Sequence, residues 1–287
     1  MRQKNVYVEL LKFGILFHSL LTFSVGYLVS TIFFPIDDWK RYVASLIGFF
    51  LISGAAAALN HALEVHEDAQ MKRTKNRPLP SKRMTKRAVY AYATILTLLG
   101  SLILFFFVNP LLCFLCLLTL CLYDFVYTPL KKMSWLNTFV GAVPGAMPPV
   151  CGWVAVSGQL DFSLVSLFLI FFFWQLPHFF SICWLYKEEY KKAGFKMITA
   201  LPNGKKKLVF SMLLSTVILI LVSLMPFFEG YLSLFYLLGV LLIGIFFLYK
   251  VVLFAREQNE VLAKGVLKAS ILYQPLLLTI IVLDVLI

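Results

Sequence analysis

Apolar residues fall in nine runs of about 18–25 residues, each long enough to cross a hydrocarbon core roughly 30 Å thick as an α-helix. The runs begin near Leu10, Tyr42, Ala88, Pro110, Ser134, Phe162, Leu208, Tyr231 and Val266. No polar stretch between them exceeds about 25 residues, too short for a separate soluble domain. The pattern therefore predicts an all-α polytopic membrane protein. Residues 1–287 form a single membrane-embedded domain, a nine-helix transmembrane bundle around a central cavity.

Composition agrees: 61% of residues are hydrophobic, 14% are charged, and mean hydropathy is +0.86. A net charge of +12 raises the question of nucleic acid, and the placement of the charges answers it. With nine spans, 24 of the 26 basic residues lie on one side. They fall in the N-terminal segment (Arg2, Lys4, Lys12), the links after spans 2, 4 and 6, and around the link before span 9. Only Lys40 and Arg41 fall on the other side. A basic bias of this kind fixes topology in a bilayer. It predicts a cytoplasmic N-terminus, an external C-terminus and no nucleic-acid partner. No cleavable leader or Arg/Ser-rich transit pattern stands in the first 20 residues, which predicts a prokaryotic cytoplasmic (inner) membrane. The five cysteines all fall inside spans and read as small packing residues, Cys113 and Cys116 included.

Ionisable groups that continue out of apolar runs are costly and point to function. At the end of span 2, Asn60, Glu64 and Asp68 follow at i, i+4 and i+8, which places three oxygen donors on one helix face. Hard oxygen ligands supplied sparsely by the protein suit Mg²⁺, whose remaining positions go to water and phosphate oxygens. Lys72, Arg73, Lys75 and Arg77 follow at once, with Pro78 ending the helical pattern. Acid for a metal beside Arg forks for phosphate predicts a diphosphate clamp. The outer basic residues, Lys82 to Arg87, read as a solvated loop. Tyr127, Lys131 and Lys132 end span 4 on the same side, where Lys131 reaches the same phosphates or serves as a topological anchor. In span 5, Gly141, Pro144, Gly145, Pro148, Pro149 and Gly152 are expected to break or thin the helix and admit a large ligand. His178, beside Pro177 inside span 6, is a hydrogen-bonded structural residue or an acceptor-side ligand. Glu188 and Glu189 open the loop beyond it. There is no GxxxxGK[ST], GxGxxG, HExxH or GxSxG pattern.

These segments resemble the UbiA superfamily of intramembrane prenyltransferases, and within it the branch that farnesylates haem. Asn60 through Pro80 is similar to an N-x-x-x-D/E-x-x-x-D-x-x-M-x-R-T-x-x-R-P segment. The Tyr127–Trp153 stretch carries a Y-T-P opening, a G-A-x-P-P and a closing G-W. Pro177-His178-Phe179, then Tyr190, Gly194 and Met197, match the haem branch, as does Lys264 to Tyr273. The resemblance implies Asn60, Glu64 and Asp68 for Mg²⁺ and diphosphate, with Lys72, Arg73, Arg77, Tyr127 and Lys131 around the phosphates. It implies farnesyl diphosphate and haem b as substrates, the lipid bilayer as surroundings, and haem A synthase as a partner. The implied reaction ionises the allylic diphosphate, couples the farnesyl carbon to a haem vinyl group and adds water, giving haem O. Two positions depart from the pattern. Glu64 stands where Asp is usual, and the second Asp-rich motif is absent. Glu188 and Glu189, the acids in that neighbourhood, supply a second metal contact across the diphosphate or merely offset the charge of Lys187, Lys191 and Lys192. A prenyltransferase for an aromatic quinone precursor and a membrane transporter are the competing readings, the latter requiring polar groups midway through several spans.

Overall fold

The computed structural model describes residues 5–36 and 38–287; Arg2 and Lys4 of the basic N-terminal segment lie outside them. Among the described residues, nine helices are long and apolar enough to cross a membrane: α1 (Phe13–Phe33), α2 (Trp39–Leu63), α3 (Lys86–Phe107), α4 (Pro110–Met133), α5 (Asn137–Ser157), α6 (Leu164–Leu185), α7 (Gly204–Phe228), α8 (Leu234–Glu257) and α9 (Glu260–Leu286). The chain is a multi-pass integral membrane protein. Many large apolar side chains, including Phe106, Phe107, Phe210, Leu242 and Val261, stand on its outer surface, which only lipid makes tolerable.

Local chemistry sets the helix ends. Asn109 accepts from the Leu112 amide at 2.7 Å, with Pro110 in the first turn, and Thr85 accepts from the Ala88 amide ahead of α3. Gly158, at φ +69°, ends α5. The last helix begins at Glu260, six residues before the apolar run near Val266. Asn259 caps it through the Leu262 amide at 2.9 Å, and Lys264 and Lys268 lower hydropathy there without disfavouring helix.

Sequential helices pack as neighbours, α5 on α6 among them, and the long-range pairings α1 with α5, α6 with α9 and α9 with α1 close the bundle. α5 is the most deeply buried span. It runs unbroken through Pro144, Pro148 and Pro149, so the expected break does not occur. Burial on all sides lets neighbouring helices re-satisfy the freed backbone groups. The thinning does occur: a methyl group on Gly152 would meet the Phe23 carbonyl oxygen, and one on Gly26 the Pro149 carbonyl oxygen. Helices α1 and α5 thus touch backbone to backbone. Within α4, residues Leu122–Tyr127 widen to a π-helix, the Thr128 amide reaching back to the Tyr123 carbonyl.

Two loops meet at the end of the bundle that carries the basic segments. One runs from Glu64 to Thr85 and holds the short helix Val65–Gln70; the other holds Lys187–Lys192. A satellite core of Met71, Ala193 and Phe195, with Tyr190 and Met197 against it, joins them. The Lys196 amide donates to the Lys131 carbonyl at 2.7 Å, and Asn137 Nδ2 donates to the Lys196 carbonyl at 3.0 Å. A lateral cavity of about 760 Å³ opens between α1 and α9, bordered by Leu21, Val25, Trp39 and Leu278.

Candidate active site

Helix α2 stops at Leu63, Glu64 takes a non-helical conformation, and a one-turn helix resumes at Val65. The hydrogen-bond register survives this kink, since the Glu64 amide donates to the Asn60 carbonyl at 3.0 Å and the Asp68 amide to the Glu64 carbonyl at 2.8 Å. Asn60, Glu64 and Asp68 therefore remain stacked, at 1%, 5% and 1% exposure. The regular helix has ended by Gln70, eight residues before Pro78. Thr74 Oγ1 donates to the Asp68 carbonyl at 2.9 Å, and the loop folds back over the acids in turns.

Each stacked side chain meets a cation from elsewhere in the chain. Lys131 Nζ lies 2.7 Å from Glu64 Oε1. Arg77 Nη1 donates to both Asp68 oxygens at 2.8 Å. Lys12 Nζ donates to Asn60 Oδ1, whose amide nitrogen donates to Thr128 Oγ1 at 3.0 Å. On the same turn as Asp68, Glu67 Oε1 pairs with Lys132 at 2.5 Å. Lys12 takes a left-handed conformation, φ 49° and ψ 53°, in the sharp turn ahead of α1, a strain non-glycine residues accept where a site requires it. Burial and the neighbouring Arg77 and Lys131 cations bring its ammonium down to about 8, against the pull of Glu64 and Asp68. Burial works against ionisation of Glu64, yet Lys131 and Lys12 outweigh it and hold that carboxyl below its usual range. For Asp68 burial outweighs Arg77, and its carboxyl is pushed up.

The second loop supplies an aromatic wall. Arg73 Nη2 donates to Tyr190 Oη at 2.9 Å, and its guanidinium lies 5.0 Å from the Tyr186 ring centroid. Burial pushes the Tyr190 phenol up, partly offset by Arg73. Lys131 sits 4.3 Å over the Tyr127 ring. The residue that meets the first loop from this side is thus Tyr190, one position beyond the expected acids. Glu188 is exposed and borders a shallow cavity of about 250 Å³ with Lys187, Lys191 and Thr199, while Glu189 Oε2 is buried without a partner. Lys72 is exposed and makes no ion pair among the described residues. Arg83, in the stretch read as solvated, instead grips Glu9 with two bonds of 2.8 and 2.9 Å.

Four participants escaped the sequence reading. In the sequence Lys12 is one more charge of the basic side, and nothing in the pattern marks Glu67. His61 is buried with both ring nitrogens unpartnered, and Asp124, in the π-helical turn, is fully buried with neither carboxylate oxygen bonded. Asp124 carried a signal, an acid inside the apolar run of α4.

Among the described residues, no group of three or more His, Cys, Asp or Glu side chains converges as a metal cage. The donor set nevertheless fits a hard cation: all oxygen, buried, with Glu67 Oε2 unpartnered beside the stack. Mg²⁺ keeps most of its shell for water and phosphate, so a protein cage of three is not required.

A second polar group stands inside the bundle. His178 Nδ1 lies 2.9 Å from Ser270 Oγ, Trp174 Nε1 donates to the Ser270 carbonyl at 2.9 Å, and the Trp174 ring stacks on His178 with centroids 5.7 Å apart. The His18 ring lies 5.7 Å from the same indole, and both polar side-chain atoms of buried Gln274 are unpartnered.

Comparison with known proteins agrees with this geometry. The UbiA prenyltransferase family model matches residues 19–272. The chain is 39% identical over 285 residues to a protoheme IX farnesyltransferase of Solibacter usitatus, covering 97% of this chain and 98% of that protein. It is 36% identical to one of Flavobacterium psychrophilum, covering 98% and 94%. Two solved structures share the fold: a digeranylgeranylglyceryl phosphate synthase (TM-score 0.82, 20% identity, covering 98% of this chain and 97% of that one), and a UbiA homologue from Archaeoglobus fulgidus bound to DMAPP and Mg²⁺ (TM-score 0.68, 14% identity, covering 97% and 99%). With nine spans, an Asn-Glu-Asp stack and interleaved cations at one end, the chain belongs to the UbiA prenyltransferase family.

Proposed function

We propose that the chain transfers a farnesyl group from farnesyl diphosphate to a vinyl group of haem b with addition of water, giving haem O and diphosphate. The observation that carries this is the interleaving of Asn60, Glu64 and Asp68 with Lys12, Lys131 and Arg77 at the mouth of an apolar bundle. A diphosphate entering this end takes over the cations now held by the acids, and the released carboxylates face outward to hard-cation chemistry. Asn60, Glu64 and Asp68 would hold Mg²⁺, which when bound would supply charge stabilisation to the departing diphosphate.

Lys131 and Arg77 bind the phosphate oxygens, and Arg73, positioned by Tyr190 and Tyr186, closes over them from the second loop. The allylic C–O bond breaks with its electron pair going to the diphosphate, where these cations stabilise the accumulating charge. The vinyl carbon then bonds to the farnesyl carbon, water adds to the adjacent carbon, and the water's second proton is released. Tyr127, held against Lys131, offers a π face toward the developing positive charge. His178 lies on the acceptor side. The reading places Glu188 and Glu189 outside the metal shell, since Tyr190 occupies the approach expected of them.

The charge asymmetry supports a cytoplasmic membrane with the basic end, and with it the diphosphate site, in the cytoplasm and the C-terminus outside. The test is incubation of membranes carrying the protein with haem b, farnesyl diphosphate and Mg²⁺. Haem O appears by mass and disappears on chelation of the metal. Prenylation of an aromatic quinone precursor with haem b left unchanged would overturn the assignment.

A further inference from the structure

His178 is held by bonds that decide which of its nitrogens carries the proton. Ser270 Oγ lies 2.7 Å from the Leu267 carbonyl oxygen. A carbonyl can only accept, so the single hydroxyl proton of Ser270 points there. The contact between Ser270 Oγ and His178 Nδ1 at 2.9 Å must then be donated by the imidazole, as Nδ1–H···Oγ. The reverse arrangement would set two oxygen lone-pair regions against each other at 2.7 Å. His178 is thereby fixed as the tautomer whose Nε2 bears a free lone pair, and Nε2 has no hydrogen-bond partner among the described residues.

The ring is also fixed in orientation. Trp174 stacks on it at an interplanar angle of 24°, while its own indole N–H is tied to the Ser270 carbonyl. Phe179 meets the ring at 66°. A neutral imidazole oriented by a bond through one nitrogen and open at the other is the arrangement in which histidine binds metals. Among the described residues no carboxylate bonds to it, so the site suits a metal that brings its own equatorial ligands. His178 lies seven residues inside Leu185, the charged-end terminus of α6, or about 10 Å along the helix axis. A macrocycle centred there would bring an edge, rather than its centre, toward the charged end of the bundle. Ser270 and Gln274 continue on the face of α9 that borders the lateral cavity at Leu278.

We propose that His178 is an axial ligand of the haem iron through Nε2, with Ser270 as the residue that sets its tautomer. This rests on the haem-farnesylating reading above. The experiment is titration of the purified full-length protein with haem b, read by the Soret band and, in the ferrous state, by the iron–imidazole stretch in resonance Raman spectra. Wild type is expected to show the imidazole signature. His178→Ala should lose it, bind haem about 10-fold or more weakly, and recover the signature with added imidazole. Ser270→Ala should weaken haem binding by about 10-fold and shift the iron–imidazole stretch. His18→Ala, on the neighbouring span against the same indole, should keep the signature. Binding of a non-hydrolysable farnesyl diphosphate analogue, at the other site, checks that each variant is folded.

An unchanged imidazole signature in His178→Ala would overturn the proposal, as would a Ser270→Ala variant that is destabilised with an unaltered haem spectrum, since that marks a structural histidine. Haem bound by wild type without any axial imidazole overturns the ligand and leaves farnesyl transfer standing. Wild type that binds no haem and prenylates another acceptor overturns both.

Discussion

At the charged end, each side chain of the stack is tied to a cation from elsewhere in the chain: Lys12, Lys131 and Arg77 come from positions 48, 67 and 9 residues away. Midway into α6, His178 is held by a serine, an indole and a phenyl ring, with no formal charge in contact. Both are polar groups in an apolar bundle, and their construction differs with the ligand each can serve. A polyanion needs cations that are available yet do not repel one another while the site waits, which interleaved acids accomplish. A flat apolar macrocycle with a metal at its centre needs one oriented lone pair and otherwise greasy walls.

The largest expected effect comes from attacking the charged end at its acids. Asp68→Asn keeps the shape and loses the charge, and haem O formation should fall by about 100-fold or more in kcat, with membrane insertion and haem titration intact. Near-full activity at saturating Mg²⁺ would remove Asp68 from the metal site and collapse the contrast.

A smaller effect separates charge pairing from catalysis. Lys131→Met strands the buried Glu64 carboxylate and should cost about 3 kcal/mol of stability, seen as a lower thermal midpoint in detergent. The double variant Lys131→Met, Glu64→Leu should recover much of that midpoint while remaining inactive. A double variant as unstable as the single would mean that the pair holds the helices together for some reason other than charge balance.

The smallest effect lies at the rim. Arg73→Ala and Tyr190→Phe should each raise the KM for farnesyl diphosphate by about 3- to 10-fold at unchanged stability, a loss of roughly 1 kcal/mol of binding. Lys86→Ala should leave KM where it is. Equal effects at Lys86 and Arg73 would reduce the loop to bulk positive charge.

The spans were legible because a bilayer demands long apolar runs and the chain supplies them with little ambiguity. The start of α9 was displaced furthest, where Lys264 and Lys268 dilute the run. The acid stack was legible for a related reason: spacing of four along a helix is a local property, and Asn60, Glu64 and Asp68 keep it through a kink. The cations were half legible. Arg77 and Lys131 sit in segments whose composition announces them. Lys12 does not, because nothing in the sequence says that a left-handed turn aims it at Asn60. At the second loop it is Tyr190, the residue after Glu188 and Glu189, that bonds to the first loop. A six-residue helix packed on Met71, Ala193 and Phe195 turns Tyr190 inward, and side-chain direction on so short a helix depends on tertiary contacts rather than on periodicity. The prolines of α5 misled in the opposite sense, because a helix packed on by its neighbours keeps its course even where proline removes backbone bonds.

The pairing of acids and cations bears on the order in which ligands arrive. Glu64, Glu67 and Asp68 are balanced by Lys131, Lys132 and Arg77, and Lys12 adds one further cation. A lone divalent ion approaching such a mouth meets a region already positive and must displace an ammonium or guanidinium to reach each oxygen. A lone diphosphate must draw those same cations away from carboxylates that would then repel it. A metal–diphosphate complex avoids both difficulties, since its phosphates take the cations as its metal takes the acids they leave. On the proposed reading, then, saturation curves measured at fixed total Mg²⁺ track the concentration of the complex, and free metal in excess binds the empty protein weakly.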